Sequence, residues 1–370
     1  MNIGLNMTLG LVVSLIVSYV LVFPVIKLAK KWRMMDHPEE RKIHTQITPR
    51  MGGLAIFGGV VAGLIVVRPD IPNFIWIAVG GVIIVLTGLL DDRYQVRPII
   101  KLTGQLMATL IPVIAGVTID FVSIPFIGII QLNGVLGFVV TVLWIIGITN
   151  AINLIDGLDG LATGVTTISL LSIAVMALAI EPQIAIFYLC VILIGSNIGF
   201  LFHNFNPASI YMGDTGSLFL GYSMAMISTV GLFKNVTLFS FIIPVIVLAI
   251  PLFDTLFSIL RRMINKQKIM MPDNKHIHYQ ILNAGFSHRA TVLIIYGFSA
   301  LFGVLAILFS LTPFIVSLGI TVVILILLHL FAEMTGVVQK GKRPLIDMVT
   351  KSLPSSEKRN KKEEKSKQEQ

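Results

Sequence analysis

The chain has 370 residues, of which 55% are hydrophobic and 13% charged, with a mean hydropathy of +0.89. A soluble domain carries roughly 25% charged residues, so an ordinary water-soluble fold is excluded and the bilayer is the solvent to reason with. The formal net charge of +9 does not point to nucleic acid, because Lys and Arg sit in short stretches between apolar runs, and a single cysteine, Cys190, excludes an internal disulfide.

A membrane-spanning helix needs about 20 predominantly apolar residues. In chain order, apolar runs predict spans at 5–26, 51–67, 73–90, 102–118, 134–151, 161–180, 183–203, 214–232, 236–260, 290–311 and 313–335. The first is followed by Lys27, Lys30 and Lys31, as a retained helix would be, so no cleaved leader is expected. Charge or turn formers interrupt the apolar sequence at Arg68-Pro69-Asp70, Asp91-Asp92, Glu181-Pro182 and Lys234-Asn235. The connection 118–133 (TIDFVSIPFIGIIQLN) is apolar and β-branched, and reads as a small hairpin at the membrane surface.

Eleven spans put the termini on opposite faces. Of the 28 Lys and Arg residues, 26 fall in the alternate connections 27–50, 91–101, 152–160, 204–213, 261–289 and 336–370, leaving Arg68 and Lys234 for the other face. By the positive-inside rule, the expectation is an all-α polytopic membrane protein of about 11 transmembrane helices, N-terminus outside and C-terminus cytoplasmic. Residues 1–335 form its membrane-embedded domain. Residues 336–370 form a basic tail, mostly disordered by composition, that attracts anionic lipid or stays solvated.

The polar residues that interrupt this pattern gather on the expected cytoplasmic side. Asp91 and Asp92 follow the third span, with Arg93, Arg97 and Lys101 within ten residues. Adjacent carboxylates favour a cation or proton between them, and acid beside base suits Mg²⁺ and phosphate together; a charged loop stop is the plainer alternative. Asn150, Asn153, Asp156 and Asp159 recur every three residues, with Gly157 and Gly160 among them. This places oxygen ligands for a hard cation around a helix end, although capping would use the same residue types. His203-Asn204-Phe205-Asn206 leads to Tyr211 and to Gly213-Asp214-Thr215-Gly216-Ser217 at the start of a span. Such a helix start accommodates phosphate oxygens, and Tyr211 could stack on a base. The late basic loop carries His276, His278, His288 and Arg289, a set better suited to phosphate than to zinc. Asp254, near the end of the ninth span, would need a partner there.

Together these stretches resemble the polyprenyl-phosphate N-acetylhexosamine-1-phosphate transferase family. The matching pieces are PRMGG (49–53), DDRYQVRPIIK (91–101), NAINLIDGLDGLATG (150–164), NFNPASIYMGDTGSLFLG (204–221) and HIHYQILNAGFSHR (276–289). They run from about residue 36 to 335, in family order. The motif Arg41-Lys42-Ile43-His44 fits the bacterial undecaprenyl-phosphate N-acetylglucosamine branch. The sequence Thr48-Pro49-Arg50-Met51-Gly52-Gly53 departs from the TPTMGG of the branch that makes the first peptidoglycan lipid intermediate. The usual DRxHxHH is altered, with Asn274 at the Arg position and Tyr279 at the last His, leaving Lys275 or Arg289 for pyrophosphate beside His276 and His278.

The resemblance implies transfer of N-acetylglucosamine 1-phosphate from UDP-N-acetylglucosamine to undecaprenyl phosphate, releasing UMP. The product would begin a cell-envelope glycopolymer such as wall teichoic acid; UDP-N-acetylmuramoyl-pentapeptide is the alternative donor. Asp214 and Asn153 would hold Mg²⁺, for which Mn²⁺ could substitute. Lys101 would neutralise the transferring phosphate, and Asp91 and Asp92 would orient or deprotonate the acceptor. Asp159 and Tyr211 would contact uridine, Asn204 and Asp156 would support the site, and Lys42, His44, His276, His278 and Arg289 would bind substrate. The expected partners are the two substrates and the bilayer, with no nucleic acid, and a homodimer is compatible with the sequence. A lipid-linked sugar transporter is the competing class, but transport sites place ionisable residues near the bilayer midplane. A scaffold would not explain the polar motifs.

Overall fold

Long runs of Leu, Ile, Val and Gly with few charges can bury their backbone polar groups in lipid only by bonding them within the segment, so helices result. The computed structural model describes residues 3–36, 47–124, 128–132, 134–179, 183–232, 242–267 and 276–334. In order, its first helices are α1 (Ile3–Lys31), α2 (Gly53–Val67), α3 (Phe74–Tyr94), α4 (Pro98–Ile114), α5 (Val135–Ile155), α6 (Leu161–Ala179) and α7 (Ile184–Asn204). Then come α8 (Gly213–Ile227), running into a π-helical turn at Ser228–Leu232, α9 (Ile242–Val247), α10 (Ala249–Ile264), α11 (Ile277–Asn283), α12 (His288–Leu311) and α13 (Phe314–Met334). Among the described residues, seven helices are long and apolar enough to cross a membrane: α1, α3, α5, α6, α7, α12 and the Ile315–Glu333 stretch of α13. The protein is an all-α polytopic membrane protein. Shorter apolar helices α2 and α4 complete the first half.

Some elements differ from the sequence expectation. Helix α3 runs on to Tyr94, so Asp91 and Asp92 occupy its last turns rather than a loop. The described part of the predicted 236–260 span is two helices that break at Leu248. Pro251 has no N–H to offer the Val247 carbonyl, and Ser169 Oγ of α6 donates to that carbonyl instead at 3.1 Å. The expected basic loop contains the short helix α11. The apolar connection after α4 does form a hairpin, β3 (Phe121–Ile124) against β4 (Gly128–Gln131), antiparallel with Phe121 opposite Gln131. An unexpected second pair joins Met35–Asp36 to Thr48–Pro49. The tail from Gln339 lies outside the described residues.

Helix α8 sits between α3 and α5, and α7 is covered by α1, α2 and α6. In α6 and α7, 72% of the most apolar stretch is buried, against 28% in α1 and 22% in α13, so the last two are peripheral. With no hydrophobic force between helices in lipid, close backbone approach does the packing. A Cβ on Gly53 of α2 would lie 2.1 Å from the Gly216 nitrogen of α8, and one on Gly88 of α3 would lie 2.4 Å from Thr215 Cα. These contacts seat the start of α8 against the start of α2 and the end of α3.

Candidate active site

Helix ends meeting at one place bring their polar residues together. Lys101, on the first turn of α4, points its ammonium at three oxygens from three helices. It lies 3.0 Å from Asp91 Oδ2 of α3, 3.0 Å from Asn153 Oδ1 of α5 and 2.7 Å from Asp214 Oδ1 of α8. Asn153 Nδ2 donates to Ser217 Oγ at 2.7 Å and also to Asp214 Oδ1, which fixes the amide orientation. A cluster with so much negative charge needs cations, and the protein supplies a second one. Arg50 places Nη2 2.7 Å from Asp214 Oδ2 and Nε 3.0 Å from Asp92 Oδ1. Partial burial works against the Arg50 charge, but Asp214 and Asp92 outweigh it and hold its pKa above the ordinary value.

Asp92 has a different environment from its neighbour. Its oxygens accept from the backbone N–H groups of Asp214 (2.8 Å) and Thr215 (2.9 Å) and from Thr215 Oγ1 (2.6 Å). The side chain is fully buried. Asp92 therefore caps the N-terminus of α8 from another helix, satisfying donors that have no partner within their own helix. Gly213, at φ +70°, makes room, because a Cβ there would meet the Asp92 carboxylate at 2.6 Å. The sequence expectation gave Asp91 and Asp92 one shared role, whereas their surroundings are distinct.

Beside this cluster opens a cavity of about 410 Å³ whose wall includes Asp36, Arg50, Asp156, Asp159, Asn204 and Tyr211. Burial pushes the Asp156 carboxyl up to about 7; Arg50 opposes the shift, while Asp214 and Asp92 add to it. Asp159 Oδ2 accepts from Asn206 Nδ2 at 2.9 Å and Ala208 N at 3.1 Å, tying the loop after α7 to the one before α6. Asn204 Oδ1 accepts from Gly160 N and Thr163 Oγ1, both at 3.1 Å, and its Nδ2 donates to the Ile210 carbonyl at 3.0 Å. Its position is one of support. Tyr211 is pinned by its backbone to Pro49 (2.8 Å) and Gly52 (2.9 Å), and burial raises its phenol to about 12, with a Thr48 hydrogen bond opposing.

The late loop backs the cavity. His276 Nδ1 lies 2.8 Å from Asp254 Oδ2, and the Ile277 N–H donates to Asp254 Oδ1 at 2.9 Å, which gives Asp254 its partner and spends one His276 nitrogen. The two imidazoles of His276 and His278 stack with centroids 5.9 Å apart. His278 is buried beneath Gly157, and its ring nitrogens have no hydrogen-bond partner among the described residues. Arg289 sits at the rim, its Nε donating to the Asn206 carbonyl at 3.0 Å. Lys42 and His44 lie outside the described residues, as does Lys275.

The sequence assigns Arg50 no role of its own, although it stands in PRMGG. Thr215 and His288 lie in stretches expected to meet phosphate, but here Thr215 donates to Asp92 and His288 Nε2 accepts the Asp159 N–H at 3.0 Å. No group of three or more His, Cys, Asp or Glu side chains poised for a metal occurs among the described residues. The oxygen donors around the Lys101 ammonium do suit a hard cation in their chemistry, since a positive charge already rests on Asp91, Asn153 and Asp214.

The profile of glycosyl transferase family 4 matches residues 74–232, the segment that carries Asp91 through Asp214. A Bacillus subtilis protein named probable undecaprenyl-phosphate N-acetylglucosaminyl 1-phosphate transferase is 45% identical over 343 residues, 92% of this chain and 95% of its own length. The chain belongs to this transferase family. A Mycobacterium tuberculosis relative, decaprenyl-phosphate N-acetylglucosaminephosphotransferase, is 33% identical over 76% of this chain and 77% of its own. A Thermotoga maritima relative, undecaprenyl-phosphate alpha-N-acetylglucosaminyl 1-phosphate transferase, is 30% identical over 79% and 87%. As a member, the chain is a membrane-embedded transferase.

Proposed function

We propose that the protein transfers N-acetylglucosamine 1-phosphate from UDP-N-acetylglucosamine to undecaprenyl phosphate at the cytoplasmic face of the cell membrane, with Mg²⁺ bound. One observation carries this reading: Asp91, Asn153 and Asp214, from three helices far apart in sequence, converge on one cation beside a nucleotide-sized cavity. The names of the relatives supply the sugar and lipid. The uneven distribution of Lys and Arg supports the cytoplasmic side and a topology of eleven spans.

In this mechanism an oxygen of the lipid phosphate attacks the β-phosphorus of the donor, the bond to the α-phosphate oxygen breaks, and UMP leaves. Asp214 and Asn153 would hold the metal, which screens the charge of two phosphates brought together. Asp91 orients the incoming phosphate, because Asp92 is committed to α8 and Arg50. Lys101 neutralises the phosphoryl group in transit. Asp159 and Tyr211 face the nucleoside, and the product begins a cell-envelope glycopolymer such as wall teichoic acid. Membranes containing the protein, given undecaprenyl phosphate and a panel of UDP-sugars, should release UMP with UDP-N-acetylglucosamine and Mg²⁺. Asp214→Asn should abolish the release while the protein still inserts. UMP release by that variant at near-normal rate would remove the metal role from Asp214.

A further inference from the structure

The cavity wall carries Asp36, Asp156 and Asp159, and among the described wall residues Arg50 is the one Lys or Arg. A nucleoside diphosphate brings at least two more negative charges, and this guanidinium is the wall's cation for it. Yet Arg50 is already occupied. The two oxygens of Asp214 each carry a protein cation, Oδ1 with Lys101 and Oδ2 with Arg50 Nη2, both at 2.7 Å. A divalent ion brought to Asp214 is repelled by both, so whichever withdraws more easily admits it.

The geometry decides which. Lys101 is held by three oxygens at once, from Asp91, Asn153 and Asp214. Arg50 has two separate attachments through different nitrogens, Nη2 to Asp214 and Nε to Asp92 at 3.0 Å. Its backbone is anchored independently, the N–H donating to the Met34 carbonyl at 3.0 Å. Turning Nη2 away from Asp214 costs one contact and leaves Asp92 as a pivot. A guanidinium has five N–H donors in a planar fork, so several remain for a diphosphate. We propose that Arg50 is an exchangeable counter-ion: it neutralises Asp214 before metal binds, then pivots on Asp92 and grips the donor's diphosphate. This deepens the function proposed above and rests on it.

The reading makes two affinities move in opposite directions. Binding of Mn²⁺ alone, followed by electron paramagnetic resonance on the purified full chain in detergent, should tighten about tenfold in Arg50→Gln, because a competing cation is gone. Binding of UDP in saturating Mg²⁺, measured by calorimetry, should weaken about tenfold or more. Arg50→Lys, which keeps the charge but cannot span Asp92 and Asp214 together, should show both shifts at smaller size, and it serves if the Gln variant does not fold. A purely structural role would weaken both ligands together, and that result, or unchanged UDP affinity, overturns the inference while leaving the reaction standing. Wild-type protein that binds neither Mn²⁺ nor UDP would overturn both.

Discussion

Asp91 and Asp92 differ by one position, and the structure separates what their loss should do. In Asp92→Asn, one carboxylate oxygen becomes an NH₂ group. Placed at Oδ2 it faces the Thr215 N–H, now 2.9 Å from an oxygen; placed at Oδ1 it faces the Asp214 N–H and Arg50 Nε. Either way a buried donor meets a donor, and an unmade buried hydrogen bond costs about 1–3 kcal/mol. Weakening the Arg50 pair brings the total to about 3 kcal/mol, or a fall of about 6 °C in apparent melting temperature at roughly 2 °C per kcal/mol. Cys190 is the only cysteine and is fully buried, so a thiol-reactive dye reports unfolding of the helix bundle directly. Asp91→Asn disturbs no α8 backbone group and leaves Lys101 its contacts to Asn153 and Asp214, so it should melt nearer to wild type than Asp92→Asn while losing UMP release. If Asp92→Asn melted with wild type and lost only turnover, Asp92 would act on substrate and the capping argument would fail.

Two more predictions concern packing and pH. Gly53→Ala puts a methyl 2.1 Å from the α8 backbone and should sharply lower the yield of folded protein, whereas Gly147→Ala, with nothing within 4 Å, should be neutral or slightly stabilising in the same dye assay. Burial lowers the His278 pKa to about 4 from 6.5, so the folded state disfavours the charged ring. Its stability contribution is then full above about pH 6.5 and is lost as pH falls toward 4, by about 3 kcal/mol in total. Melting temperature measured across that window should fall less steeply in His278→Leu; an equal slope would show that another group titrates.

Helices were legible because lipid demands apolar runs, and the carboxylates of the site were legible because charge inside such runs is costly. What could not be read was who faces whom. Asp92 caps a helix that begins 121 residues later, and no spacing rule links them. Asp254 was expected to need a partner, and one of its partners is an imidazole 22 residues on, which no spacing in the span could identify. Arg50 carried a signal, a charge beside two glycines before a span, but its meaning depends on two carboxylates brought to it by α3 and α8. The break at Leu248 was foreshadowed by Pro251 and overlooked because the run around it is uniformly apolar.

The glycine contacts among α2, α3 and α8 set the spacing of the clustered polar groups by main-chain radii rather than by side-chain shape. Such a hub is stiff even though α3 keeps Ile75, Trp76, Leu86 and Leu90 exposed on its outer face. Changes in bilayer thickness or lateral tension would tilt the weakly buried α13 before they part these main-chain contacts. The distances among Asp91, Lys101 and Asp214 are thereby set by the protein's own backbone contacts.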